Sequence, residues 1–258
     1  MRKGAKKFNS DSAAARFFAA ALALCVWQAG AMALGNDLLL VTPIAVARRL
    51  CELIVTADFW ATLGFTFSRI SLGFLLALAL AGIFAALSAA VPFIETLLRP
   101  YVAAIQSVPV ASFIVIAFLW LSARRLSTFI AFLMVFPVLY TNLLQGIRAA
   151  DRNLLEMADV FRLSPGRRVR CIFLPALRPA LFAGGRVALG LCWKAGVAAE
   201  VIGVVARSVG GKLYDAKAYL EIADLFAWTV VIVAVSALFE RVFLFLLGKI
   251  FDALEHAV

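Results

Sequence analysis

The sequence predicts an all-α membrane protein, a single domain of about six transmembrane helices, and three observations lead there. The 258 residues are 64% hydrophobic and 16% charged, where an average soluble domain has roughly 25% charged residues. The apolar residues gather into runs near the roughly 20 residues that a helix needs to cross a 30 Å hydrocarbon core. None of the runs alternates as a barrel strand would, and an isolated strand in lipid leaves its backbone groups unpaired, so each run is read as a helix.

The spans fall at about Phe17 to Leu34, Phe65 to Leu87, Tyr101 to Leu121, Thr128 to Leu144, Leu181 to Ile202 and Leu225 to Leu247. The net charge of +10 would suit a nucleic-acid binder, but the basic residues sit at the ends of apolar runs and form no stripe interleaved with aromatics. That distribution marks membrane topology and excludes nucleic acid as a partner. Arg2, Lys3, Lys6, Lys7 and Arg16 precede the first span. Arg148, Arg152, Arg162, Arg167, Arg168, Arg170 and Arg178 lie between the fourth and fifth. By the positive-inside rule both clusters, and both termini, are cytoplasmic, with Arg124 and Arg125 on the opposite side as a minority violation.

Residues 1–16 are then a cytoplasmic segment and 17–258 the membrane domain. Ala31-Met32-Ala33 after the first apolar run leaves a second reading open, a cleaved secretory signal. The long charged leader and the long apolar run favour a retained span. Between the first two spans, Ile44, Ala47, Leu50, Cys51 and Ile54 recur at helical spacing, which predicts an external interfacial helix over Pro43 to Thr56. In the second span Gly73, Ala77, Ala81, Ala85 and Ala89 form a small-residue stripe against which another helix can approach closely. Pro109 and Pro137 fall inside the third and fourth spans, where each removes a backbone hydrogen bond and predicts a kink.

Enzyme chemistry finds no footing. His256 is the one histidine, so no histidine-centred triad or metal cluster can form, and Cys25, Cys51, Cys171 and Cys192 are too dispersed for zinc or a disulfide framework. Gly211-Lys212 is followed by Leu213, with Ala206 where the first glycine of a phosphate loop belongs, so no nucleotide or other cofactor is expected here. Any use of ATP must come from another subunit.

The loop at about 148 to 180 is the part of the chain fitted to meet a soluble partner. Asp151 is placed to cap a short helix from Arg152 to about Leu163, with Leu154, Ala158 and Phe161 on one face and Glu156, Asp159 and Arg162 elsewhere around it. Ser164-Pro165 supplies a second cap and first-turn pair for a helix ending near Leu174-Pro175, so an elbow forms at Ser164-Pro165-Gly166. Such an elbow can dock into a groove on a protein, or rest on anionic lipid with its arginines among the headgroups.

Glu156, Ala158, Ile172, Leu174 and Pro175 stand in the register of the cytoplasmic Glu-Ala-Ala loop of ABC-importer permeases, which the chain therefore resembles. Met157 replaces that motif's second residue and Arg162 its glycine, for which Gly166 beside Pro165 is the expected substitute at the bend. The resemblance extends over about Thr42 to Ile250. Ser107-Val108-Pro109, Phe136-Pro137 and the segment Trp193 to Glu200 are similar to the nitrate, taurine and alkanesulfonate branch, which also handles vitamin and pyrimidine precursors. It implies a type I importer permease fold, a homodimer in a bacterial inner membrane, cytoplasmic ABC ATPase subunits docked on the loop, and a periplasmic or lipid-anchored substrate-binding protein. The alternative class, an ion-coupled carrier, would need embedded carboxylate pairs or inverted repeats with broken helices.

Lys194 and Glu200 are ionisable residues within the fifth span and therefore candidates to line the solute pathway. Their spacing puts them roughly 120° apart on the helix, which argues against mutual pairing. Glu200 at the external interface is the competing placement. Arg69 and Arg186, nearer span ends, are expected to snorkel.

Overall fold

The computed structural model describes residues 13–36 and 38–256, and every regular element among them is a helix. The basic leader residues Arg2, Lys3, Lys6 and Lys7 lie outside the described residues. Long apolar helices occur at α1 (Ala13–Leu34), α3 (Ala57–Ala90), α6 (Ala123–Arg148), α9 (Leu174–Ile202) and α11 (Ile222–His256), each able by length and hydropathy to cross a membrane. They run past the apolar windows because a helix needs no lipid to persist, and its outer turns carry the flanking charges.

The third expected span departs from a kinked helix. It consists of α4 (Pro92–Ser107) and α5 (Val110–Trp120), bent by 107° at the break. Pro109 causes it: Val108 before it is held extended (ψ 134°), Pro109 is itself extended (ψ 134°), and proline has no N–H to carry the helix through. Pro137 lies inside α6, which continues through it. The broken pair still runs the length of the bundle, since Glu95 in the first turn of α4 is hydrogen-bonded to Arg148 at the end of α6, and α5 finishes where α6 begins.

The core lies where α3, α6 and α9 meet, with Ile70, Phe74, Ala131, Val135, Leu139, Ala188, Leu189 and Cys192 buried together. The small-residue stripe produces this contact. A Cβ on Gly73 would lie 2.5 Å from the Thr128 carbonyl oxygen and 2.9 Å from the Ala131 Cβ, so α3 and α6 touch backbone to backbone there. Ala77, Ala81 and Ala85 are fully buried, whereas Ala89 is half-buried. A spacing of four drifts around a helix of 3.6 residues per turn, and Ser88 takes over the inward position, with its hydroxyl 2.9 Å from that of Tyr140. On the other flank, Ile114 and Ala117 of α5 pack on Leu126 and Ile130 of α6 and on Ala195 and Ala199 of α9.

The interfacial helix is present as α2 (Pro43–Ile54), with Thr42 capping it by accepting from the Ala45 N–H. It closes one end of the bundle together with α10 (Val209–Ala218) and the first turns of α3 and α11. Arg49 bridges Asp224 (Nη2 to Oδ2, 3.0 Å) and Glu52 (3.1 Å), Lys212 pairs with Asp58 at 2.7 Å, and Phe59 stacks on Trp228 at 5.1 Å. Hydrogen bonds to Asp224 and then Glu52 hold the Arg49 guanidinium above its ordinary pKa. By contrast α1 is mostly uncovered, held through Trp27, whose Nε1–H donates to the Val41 carbonyl and whose ring lies 5.4 Å from that of Phe226.

Candidate functional site

The basic loop forms at the opposite end from α2 and α10. Asp151 caps α7 (Arg152–Val160) as the sequence predicts, accepting from the Asn153 N–H at 2.9 Å. The helix is shorter than expected because it closes at Phe161 with a paired turn. Leu163 N–H donates back to the Ala158 carbonyl (2.9 Å) and Arg162 N–H to that of Asp159 (3.1 Å). This closure puts one residue in the left-handed region, and that residue is Arg162 at φ 49°. The expected transfer of the bend to Gly166 does not occur: Gly166 lies within α8 (Pro165–Arg168), and the arginine makes the bend at the position where the resembling family has glycine.

Arg168 locks the turn. Its Nε donates to the Leu163 carbonyl at 3.1 Å, its Nη2 to the Ala158 carbonyl at 3.3 Å, and its Nη1 pairs with Asp159. Ala158 is therefore fully buried inside the loop, and not on the outer face expected for it. The outer face is an apolar ridge of Leu154, Met157, Val160 and Phe161, the last two 80% and 72% exposed, with the exposed Glu156 beside it. Met157, named above only as a departure from the motif, and Val160 join this ridge at three-residue spacing from Leu154.

The second loop helix does not end near Leu174-Pro175. From α8 the chain passes through a π-helical turn, Val169–Phe173, straight into α9, so one helical rod joins the loop to the fifth span. The wide turn has a local cause. Pro175 has no N–H for the Cys171 carbonyl and its ring would collide with it, and a π-turn, closed by Leu174 N–H to the Val169 carbonyl, moves that carbonyl away. Ile172 is buried, Leu174 half-buried and Pro175 exposed along this rod. Arg170 donates to the Leu254 carbonyl (2.9 Å) and Arg178 pairs with Asp252 (2.8 Å), which ties the loop to the end of α11.

Lys194 and Glu200 lie on different sides of α9, as their spacing requires. Lys194 is exposed on an uncovered face with Ala183, Arg186, Val187 and Gly190. Glu200 departs from both expected placements, since it is fully buried and lines no open passage. Its Oε2 accepts from the Thr66 hydroxyl (2.9 Å) and from the Gly210 N–H (3.1 Å), while the same Thr66 oxygen accepts from the Val209 N–H (2.9 Å). The carboxyl group therefore serves as an N-terminal cap of α10 supplied from another helix, joining α3, α9 and α10. Arg69 donates to the Arg124 carbonyl in the first turn of α6 and lies 4.4 Å over the Phe65 ring.

Comparison with known proteins agrees with this architecture. The chain shares 28% identity over 221 residues, 84% of its length and 79% of the relative's, with a Bacillus subtilis protein named for aliphatic sulfonates transport, SsuC. Identity is also 28% over 228 residues with the riboflavin transport system permease protein RibX of Chloroflexus aurantiacus, covering 85% of each chain. With the bicarbonate transport system permease protein CmpB of Synechocystis it is 28% over 186 residues, 71% of this chain and 65% of that one. A crystal structure of an amino acid ABC transporter shares the fold, with a TM-score of 0.55 at 18% identity over 81% of this chain and 98% of that one. Residues 78–254 match the model of the binding-protein-dependent transport system inner membrane component, and the chain belongs to that family of ABC transporter permeases.

Proposed function

We propose that this permease couples solute import to ATP hydrolysis by docking a cytoplasmic ATPase subunit on the loop from Asp151 to Pro175. The observation that carries this reading is the exposed ridge of Met157, Val160 and Phe161 on a loop internally locked by Arg168 and continuous with α9. A locked ridge transmits displacement. When paired ATPases close, two such loops would be drawn together and their fifth spans would tilt, opening the bundle to the other side. The basic residues of this end make it cytoplasmic by the positive-inside rule, with α1 starting and α11 finishing there. A second copy of the chain is the natural cover for the open face of α9, where Ala183, Val187 and Gly190 leave room for close approach beside Lys194 and Arg186. A substrate-binding protein would dock at the opposite end, over α2 and α10. Sulfonate and bicarbonate in the names of relatives, with Lys194 and Arg186 exposed on that α9 face, favour a small anion as solute.

Co-purification from the native host in mild detergent tests the coupling. An ATPase subunit should accompany the permease in equal numbers, and Glu156→Lys or Phe161→Ser should weaken that association at least about tenfold with no change in the permease's thermal stability. Full association and normal transport by both variants would refute the docking face. Transport in liposomes driven by an ion gradient without any ATPase would favour the carrier alternative.

A further inference from the structure

Between α4 and α6, at the basic-loop end, lies a cavity of about 460 Å³. The other two sides of α6 are covered, by α3 at Ser88 and Tyr140 and by α9, where Gly184 lies against Asn142. The cavity is thus the opening left on the third side, reaching inward from the mouth at Glu95 and Arg148 past Arg99 to Gln106. Its size falls in the lower part of the range for small-ligand sites.

The polar groups on its wall are unequal in what they have left to give. Arg148 and Glu95 are bonded to each other through both guanidinium nitrogens, one contact at 3.0 Å, and so largely cancel. The hydroxyl of Tyr140 is engaged with Ser88, and that of Thr141 donates to the Pro137 carbonyl at 2.8 Å. Arg99 lies close enough to Glu95 to act on it electrostatically, yet among the described residues the side chains of Arg99, Gln106 and Gln145 are exposed and form no hydrogen bond. What remains is the exposed Arg99 guanidinium and two carboxamides, with no uncommitted carboxylate on the cavity wall. This set can donate several hydrogen bonds to one negative group and compensate its charge.

We propose that this cavity is a binding site for a small anion of the sulfonate or carboxylate class, held by Arg99 with Gln145 and Gln106 and closed at its mouth by the Glu95–Arg148 pair. The inference rests on the transport reading, and it locates the solute on the cytoplasmic side of its path. A phospholipid headgroup phosphate offers the same chemistry from the bilayer.

Calorimetric titration of ethanesulfonate into the purified permease complex in phosphatidylcholine nanodiscs tests the site. Ethanesulfonate should bind and ethylammonium should not. Arg99→Gln should weaken binding about tenfold or more, the loss of a charge-assisted contact. Arg99→Lys should recover part of it. Glu95→Gln, which removes the competing carboxylate, should tighten binding about threefold or more. The opposed signs separate a binding role from a merely structural one, and thermal melts confirm that each variant is folded. Failure of ethanesulfonate to bind the unmodified complex, or unchanged binding by Arg99→Gln, overturns the site. Binding abolished when phosphatidylglycerol replaces phosphatidylcholine assigns the cavity to a headgroup and overturns the solute. Co-purification of an ATPase with the unmodified complex is scored separately, so the transport reading stands or falls on its own result.

Discussion

Arg162 carries a backbone conformation that L side chains avoid, and it does so because the turn after α7 is fixed from both sides. Asp159 and Ala158 accept from the turn, and Arg168 clamps it. Arg162→Gly should therefore stabilise the chain by about 1 kcal/mol, a rise of roughly 2–4 °C in the melting temperature of the purified protein. Arg162→Val should lower it, since a β-branched residue tolerates positive φ least. Glu200 makes the converse case, a buried carboxyl group whose removal costs more than its presence. Glu200→Ala would leave the Gly210 N–H and the Thr66 hydroxyl without their acceptor, at about 1–3 kcal/mol for each. Glu200→Gln keeps an acceptor oxygen and should cost clearly less. Limited proteolysis between α9 and α10 together with thermal melts reads both variants, and equal loss in the two would contradict the capping role.

At the scale of elements, the telling feature is the π-turn between α8 and α9, which sets the rotation of the loop relative to the fifth span. Pro175 maintains it by excluding ordinary helical bonding at Cys171. In Pro175→Ala the rod is free to relax to a regular α-helix, which turns the ridge of Met157, Val160 and Phe161 away from its original bearing by a large fraction of a turn. ATPase association should survive, because the ridge itself is intact, while stimulation of ATP hydrolysis by solute should fall. Normal coupling in this variant would remove the π-turn from the mechanism. The break at Pro109 belongs to the same scale: proline signals were present at both Pro109 and Pro137, but only the first ends a helix. There the preceding Val108 is extended and half-uncovered, whereas Pro137 is buried in a helix gripped by α3 and α9.

For the whole molecule, the four cysteines report the arrangement directly. Cys51 is exposed on α2 and Cys171 on the basic loop, at opposite ends of the bundle, while Cys192 is buried against the Ile70 carbonyl. In single-cysteine variants a membrane-impermeant maleimide should modify Cys51 in intact spheroplasts, Cys171 only after lysis, and Cys192 in neither. Cys25 is uncovered along α1 and faces lipid in this topology, where a water-borne reagent reaches it slowly. Modification of Cys171 in intact spheroplasts would invert the topology and take the loop away from any cytoplasmic ATPase.

Patterns set by near neighbours were open to reading from the chain alone: the apolar runs, the interfacial helix, the Asp151 cap, the small-residue stripe and the Glu-Ala-Ala register all concern residues a few positions apart. They determined the fold class and the family, and they placed the loop. The tertiary structure decided which groups are satisfied and which are left over. Glu200 turned from a pathway candidate into a buried cap because its partner Thr66 is 134 residues away, and Arg148 is cancelled by Glu95 across 53 residues while Arg99 is not. A polar side chain has no fixed meaning in a sequence, because the cost of burying it and the partners that offset that cost come from distant segments brought together only when the helices pack.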